Sequence, residues 1–373
     1  MMKLAFALLA ALAAAVPSCS AVPPPRADDA ALDPDDAAAA DDALEADADI
    51  DVRPGVTTRV VELMDATAIG GPRRIPIAIR KPLATAPRPV VVWSHGGAGG
   101  KTDPLQSLPE WSTVTAEHGY YTVSIAHVPR SCNEQTALCN ALGVTPCVCD
   151  ESFKYLNWDR PHDIRVVLDY LETIAATDNL DLTNLAVGGH SAGAGAAMML
   201  AGATRVFTTS AVSLADPRPK VFMAFSPQGP GSEGFLDTSF GSVARALLVG
   251  TGDGDITDGD TPDVRRMAYD LSPGLNKFLV YIADPRTRHT TFEHKTDGCV
   301  RGGTDLATCQ QFLAWLDPAA LNFLDGTLRR DRAARDWMTS PALANLSGGV
   351  ATIEQRTPGG AAPGHPREPT PAP

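Results

Sequence analysis

The 373-residue chain shows no internal repeat, and its opening apolar run, Leu4–Val16, is too short to cross a bilayer. Those absences set aside a solenoid and a spanning helix at that segment. Basic residues (31 Lys and Arg) are outnumbered by acidic ones (44 Asp and Glu), and no basic cluster forms a patch that would suggest nucleic acid. A nucleotide loop is missing too: Ser94-His95-Gly96-Gly97-Ala98-Gly99-Gly100-Lys101-Thr102 is glycine-rich but lacks G-x-x-x-x-G-K-[ST] spacing. Metal-ligand patterns fail in the same way. Cys147-Val148-Cys149 has one intervening residue where zinc sites use two to four. The acidic run from Asp253 to Asp260 has Val264 where a calcium loop needs a bidentate Glu. Neither metal nor cofactor is therefore expected.

The ends of the chain are informative in a different way. Met1-Met2-Lys3, the apolar run and the small residues after it read as an export signal over residues 1–21, cut either before Cys19, which would then carry a lipid anchor, or after Ala21. Residues 22–52, rich in Ala and Asp, are expected to be a disordered linker. The first 51 residues hold eleven acidic and two basic side chains, so most of the net charge of −13 belongs to this tether and not to a folded surface. Residues 53–340 are long enough for one α/β domain, and 341–373 read as a Pro/Gly/Ala-rich tail. Without Cys19 six cysteines remain: Cys132, Cys139, Cys147 and Cys149 in an insertion at 130–150, and Cys299 and Cys309 further on. An even number in an exported chain favours disulfides, with Cys299 and Cys309 the natural local pair.

Within the domain, Val56–Met64 and Arg73–Arg80 alternate apolar and polar residues around Gly70-Gly71-Pro72, which predicts an antiparallel edge hairpin. Continuous apolar runs follow at 90–93, 121–126, 185–187, 221–225, 246–249 and 278–282, the pattern of strands covered on both faces. Helical segments fall between them, one opened by Pro161 with Ile164, Val167, Leu168, Leu171 and Ile174 on one face. Residues from Asp305 to Met338 read as closing helices. The result is a mostly parallel central sheet with flanking helices, and ligands bind such sheets at the carboxyl ends of the strands.

Chemistry-bearing residues do follow the strands. After 185–187 comes Gly189-x-Ser191-x-Gly193 and then an Ala-rich helix, the setting of a nucleophile elbow in which a serine stands on a strained turn. After 90–93 comes the glycine loop, whose backbone N–H at Gly97, with that of Ala192, could meet a developing oxyanion. After 246–249, Asp253 is the first acid past the strand. Of eight histidines, only His289 and His294 lie beyond that acid loop and before the tail. His289 is the expected base, with His294 an exposed side chain past an anchoring Phe292.

These stretches together resemble the α/β-hydrolase superfamily, and within it the dienelactone-hydrolase-like branch that includes platelet-activating-factor acetylhydrolases, chlorophyllase-like esterases and bacterial polyester hydrolases. The residues carrying the resemblance are Val91-Val92-Trp93-Ser94-His95-Gly96-Gly97, Glu117-His118-Gly119-Tyr120, Arg160-Pro161-His162-Asp163-Ile164, Gly189-His190-Ser191-Ala192-Gly193, Gly250-Thr251-Gly252-Asp253 and His289-Thr290-Thr291-Phe292. It implies the α/β-hydrolase fold, Ser191 as nucleophile, His289 as base, Asp253 as acid, and Gly97 and Ala192 as oxyanion hole. The activity implied is serine hydrolysis of a small or polymeric carboxylic ester through an acyl-enzyme. Acyl transfer by the same residues, or a catalytically silent binding protein of the same fold, are the alternatives. Two departures bear on substrate: Arg286 and Arg288 stand before the histidine, and the cysteine insertion falls where a pocket rim would be.

Overall fold

The computed structural model describes residues 48–53, 55–83, 86–97, 100–144, 153–257 and 259–356, with side chains for all but 48–53 and 153–156. Cys19, Cys147 and Cys149, the expected export signal and the residues from 357 on lie outside this range. Among the described residues no helix is long and apolar enough to cross a membrane.

In chain order the strands are β1 (Ala48–Arg53), β2 (Val56–Asp65), β3 (Arg73–Pro82), β4 (Arg88–Ser94), β5 (Tyr121–Ile125), β6 (Leu180–His190), β7 (Thr204–Val206), β8 (Ala211–Ser213), β9 (Val221–Phe225), β10 (Ala246–Gly252), β11 (Lys277–Ile282) and β12 (Ala351–Gln355). All but the small β7–β8 ribbon form one ten-stranded sheet, ordered β1-β2-β3-β5-β4-β6-β9-β10-β11-β12. The six apolar runs are its centre, and from β5 to β11 every neighbouring pair is parallel. The hairpin pairs Val56 with Pro82 through Asp65 with Arg73 and joins the centre antiparallel through β3 and β5.

Helices α1 (Pro109–Glu117), α2 (Cys132–Ala141), α3 (Phe153–Asp178), α4 (Ala192–Ala201), α5 (Pro262–Asp270), α6 (His289–Phe292), α7 (Asp297–Arg301), α8 (Leu306–Leu324), α9 (Arg332–Thr339) and α10 (Ala342–Ser347) complete the chain. Two apolar layers sandwich the sheet. Ile164, Val167 and Leu171 of α3, Met198 and Leu200 of α4 and Ala268 of α5 bury against one face. Trp111 of α1 and Phe312, Trp315, Leu316 and Phe323 of α8 bury against the other. This is the arrangement that continuous apolar strands require, since neither face can be left to water.

Three boundaries differ from the sequence reading. β1 begins at Ala48, so the last residues of the expected linker form the sheet's outer strand against β2. At the other edge, 341–355 is not tail: α10 packs under β12, which adds antiparallel to β11 from Phe278↔Gln355 to Ile282↔Ala351. A ladder needs only backbone groups, so its short, half-buried sequence carries little apolar signal. Finally, α3 starts at Phe153 and runs through Pro161. Interior proline forfeits a backbone hydrogen bond, but the two side chains just before it, Asp159 and Arg160, are buried and bound, which holds the preceding turns in helix.

The hairpin is fastened to the centre at Asp178, which ends α3. Its carboxylate accepts from Arg59 (2.9 Å), Lys81 (3.0 Å) and the Tyr121 hydroxyl (2.5 Å), joining β2, β3 and β5. Burial pushes this carboxyl up, but the hydrogen bonds and the two cations outweigh it and hold it below the ordinary aspartate range. A carboxyl depressed on folding stabilises the native state above its unfolded pKa, about 3.9, and that contribution disappears as pH falls through the lower native value. Asp178→Asn should therefore cost about 2 kcal/mol at pH 7, and the gap between wild type and variant should narrow as pH falls below about 3.9. Urea denaturation across pH checks it; a gap that is constant down to pH 2.5 would contradict the assignment.

Candidate active site

Ser191 lies between β6 and α4 with φ 52° and ψ −121°, a conformation that costs a non-glycine residue of order 1–3 kcal/mol and persists only where its surroundings impose it. Two close approaches impose it here. A Cβ on Gly193 would stand 1.9 Å from the Ser94 carbonyl oxygen, and one on Gly189 would stand 2.3 Å from the Gly193 carbonyl carbon. Only glycine lets β6 turn this sharply into α4 while α4 packs on the end of β4. The Ser191 N–H is tied across the sheet to Phe225 O at 3.0 Å, so the elbow is anchored to β9.

His289 opens α6, after β11. Its ring lies against that of His190, the residue before Ser191, with centroids 4.4 Å apart, and His190 Nε2 meets the His289 carbonyl oxygen at 3.0 Å. Burial, and then the neighbouring His289, keep His190 far below the ordinary histidine pKa, so it is a neutral spacer. Phe292 is buried, and its carbonyl accepts from the Trp111 indole at 3.1 Å, which anchors the short helix.

The carboxylate at His289 is Asp255. Its Oδ1 stands 3.0 Å from His289 Nδ1, whereas Asp253 is exposed and accepts from the Tyr281 hydroxyl at 2.7 Å. Asp253 is therefore corrected to Asp255. The physical reason is the turn Gly252-Asp253-Gly254-Asp255: Asp253 N–H still bonds to Ile282 O as a strand residue would, and the chain bends inward only afterwards. Two residues unseen in the sequence complete the cluster. Ser226, at φ 51° after β9, donates to Asp255 Oδ1 at 2.7 Å and lies 2.6 Å from His289 Nδ1; Thr251 donates to Asp255 Oδ2 at 2.9 Å. Since Ser226 gives its proton to Asp255, both neighbours of His289 Nδ1 accept. The imidazole proton is thus held on Nδ1, and Nε2 keeps the lone pair.

The glycine loop after β4 packs on the elbow: a Cβ on Gly96 would be 2.9 Å from Ser191 Cβ. Gly97 is exposed at φ 90°. His127 N–H donates to His95 Nε2 at 3.2 Å, so His95 carries its proton on Nδ1 and donates to Gly96 O at 2.6 Å. A trans peptide then points the Gly97 N–H away from that carbonyl. The Gln228 carboxamide lies 3.0 Å from Ser191 O and 3.0 Å from Ala192 N, so the Ala192 N–H expected in the oxyanion hole has an amide oxygen as neighbour.

A second serine-histidine-aspartate arrangement lies beneath the loop. Ser94 Oγ is 2.8 Å from His127 Nε2, and His127 Nδ1 is 2.9 Å from Asp163 Oδ2, with all three side chains buried. Arg73 holds Asp163 with two hydrogen bonds of 2.9 Å, and burial with the nearby Arg160 drives His127 far below its ordinary pKa. Geometry alone would nominate Ser94 as a nucleophile. Burial excludes it, because no acyl group can reach it.

The remaining expected residues fall as follows. Cys299 and Cys309 are joined in a disulfide, and Cys132 and Cys139 are each disulfide-bonded as well. His294 is not exposed: it is buried, edge-on to Trp111 and 2.5 Å from Asp317. Arg286 turns onto Asp284 and Arg288 onto the carbonyls of Pro285 and Thr287. In the insertion, α2 rests on the β2–β3 turn, where Arg130 donates to Ile69 O at 2.7 Å. Among the described residues no group of three or more His, Cys, Asp or Glu side chains could hold a metal ion.

A parallel sheet of this kind with flanking helices also occurs in known structures. The chain superposes on a ferulic acid esterase from Streptomyces cinnamoneus with a TM-score of 0.54 and 17% identity, covering 81% of this chain and 97% of that one. The fold is the α/β-hydrolase fold. MGS-M1, an alpha/beta hydrolase enzyme from a Medee basin deep-sea metagenome library, gives a TM-score of 0.48 at 13% identity over 73% of this chain and 98% of its own. No family profile matches the sequence, and no curated protein matches it significantly.

The elbow yields a direct test. Gly193→Ala cannot be accommodated without moving backbone, and it should destabilise the protein by about 3 kcal/mol or more. Gly195→Ala meets side chains, Gln228 at 2.7 Å and Phe235 at 3.4 Å, and should cost less. Denaturation curves giving the reverse order would show that the elbow is not packed in this way.

Proposed function

We propose that the protein is a serine hydrolase of carboxylic esters, with Ser191 as nucleophile, His289 as general base and Asp255 as the acid that orients it. The observation that carries this reading is the His289 imidazole bound through Nδ1 to buried Asp255 while lying against the elbow of Ser191. His289 Nε2 takes the Ser191 proton as Oγ attacks the ester carbonyl, then returns it to the departing alcohol. Water repeats the sequence on the acyl-enzyme. The negative oxygen of each tetrahedral intermediate is met by the N–H groups of Gly97 and Ala192; at Ala192 it takes the place of the Gln228 amide oxygen. The likeness to a ferulic acid esterase, whose fold it shares, and the branch resemblance in the sequence both favour esters over other acyl compounds.

Export belongs to the same reading. An oxidising compartment suits the disulfide at Cys299 and Cys309 and the bonded state of Cys132 and Cys139. Cleavage before Cys19 would leave the enzyme on a lipid anchor at an outer membrane face; cleavage after Ala21 would release it. The substrate is a small or polymeric ester reached outside the cell.

A fluorophosphonate should label one serine, Ser191, and Ser191→Ala should abolish both labelling and turnover of an aryl ester; adduct on Ser94 or Ser226 by peptide mass spectrometry would refute the assignment. The acid is tested separately. Asp255→Asn should lower kcat by about 10⁴-fold, while Asp253→Asn should change it less than about tenfold. The opposite ranking in folded variants would restore Asp253.

A further inference from the structure

Arg160 belongs to neither serine cluster, yet it is fully buried directly behind the glycine loop. Its guanidinium donates through Nη1 to His95 O and through Nη2 to Gly97 O at 2.8 Å. Among the described residues no carboxylate stands within ion-pairing distance of it, in contrast to Arg73 and Arg130 close by, which are each paired with Asp159. Burial lowers its pKa only to about 10, so at neutral pH it is a cation solvated by carbonyl oxygens. An unpaired buried charge is costly to fold. Two carbonyl acceptors could have been satisfied by a neutral donor, which makes the charge itself the feature to explain.

We propose that Arg160 is the positioning residue of the oxyanion loop, an inference that rests on the serine-hydrolase reading above. By drawing the His95 and Gly97 carbonyls inward, it fixes the backbone on both sides of the Gly96–Gly97 peptide. With Gly96 O already held by His95 Nδ1, three successive carbonyls are committed to the protein side. Peptide planarity leaves the Gly96 and Gly97 N–H groups on the other side. The cation also sets a positive potential behind those dipoles, in a medium of low dielectric where it is little screened. Both effects act most strongly when negative charge develops on the carbonyl oxygen, so Arg160 should matter to the transition state more than to the bound ester.

The test compares wild type, Arg160→Lys and Arg160→Met on an aryl ester, together with inhibition by an arylboronic acid, which becomes tetrahedral on a serine oxygen, and by the planar carboxylate product. Melting temperature and active-site titration correct for folded fraction. Arg160→Met should lower kcat about 100-fold with KM changed less than about threefold, and weaken boronate inhibition in parallel while leaving product inhibition unchanged. Arg160→Lys keeps charge without the fork and should retain at least about tenfold more activity than the Met variant. If Arg160→Met does not fold, the Lys variant carries the same comparison. Folded variants with normal kcat and boronate affinity, or a loss confined to melting temperature or to KM, would overturn the proposal while leaving the hydrolase reading standing. Wild type that neither hydrolyses esters nor labels at Ser191 would end both.

Discussion

The close approach of α4 to the end of β4 is the constraint on which the rest depends. A carbonyl oxygen of Ser94 occupies the space where any side chain at residue 193 would begin. That contact fixes the angle at which α4 leaves β6 and puts Ser191 in a backbone conformation it would not choose. It also joins the two loops whose N–H groups meet one oxygen in the proposed mechanism. The elbow and the glycine loop are thus one packed unit, held from below by helix α3 and from the side by β9, and the strain at Ser191 is supported by contacts to all of them.

What lies under this unit is polar. Ser94, His127, Asp163, Arg73, Asp159, Arg130 and Arg160 fill the space between the strand ends and α3, where an apolar filling would be the simpler solution. Buried ion pairs contribute little net stability but constrain direction, since each donor must find its acceptor. The loop here runs without a regular ladder, and its carbonyls would otherwise be buried without partners. The polar layer supplies those partners. The Ser94–His127–Asp163 arrangement is part of that layer and fixes the loop from inside, whereas the reacting serine of the proposed mechanism is Ser191.

How far the sequence could be read follows from which signals are local. Six apolar runs are central strands because burial on both faces demands unbroken apolar residues. The elbow is legible because steric need leaves glycine at fixed offsets. His289 was accessible by position after the last long strand. Asp255 was not, because Gly252-Asp253-Gly254-Asp255 offers two carboxylates separated by one glycine and only the turn's handedness decides which points inward. Ser226, Thr251 and Arg160 were invisible for a related reason: a serine, a threonine and an arginine are common everywhere, and their meaning comes from partners 29, 4 and 65 residues away. Edge strand β12 and the first turns of α3 owe their state to tertiary contacts that outweigh local composition and a proline.

Asp255 itself is held by more than the histidine. Arg265, also fully buried, stands 3.2 Å from its Oδ1 and donates to Asp255 O, Ser226 O, Pro227 O and Thr257 Oγ1. The guanidinium therefore stitches the acid loop to the chain after β9, where Ser226 sits. Its charge competes with any imidazolium for that same carboxylate. With Thr251 on Oδ2 and Ser226, His289 and Arg265 around Oδ1, the acceptor sites of the group are nearly filled. A carboxylate so committed has little charge left to lend. Its larger contribution is to fix the Nδ1 tautomer and the ring plane of His289.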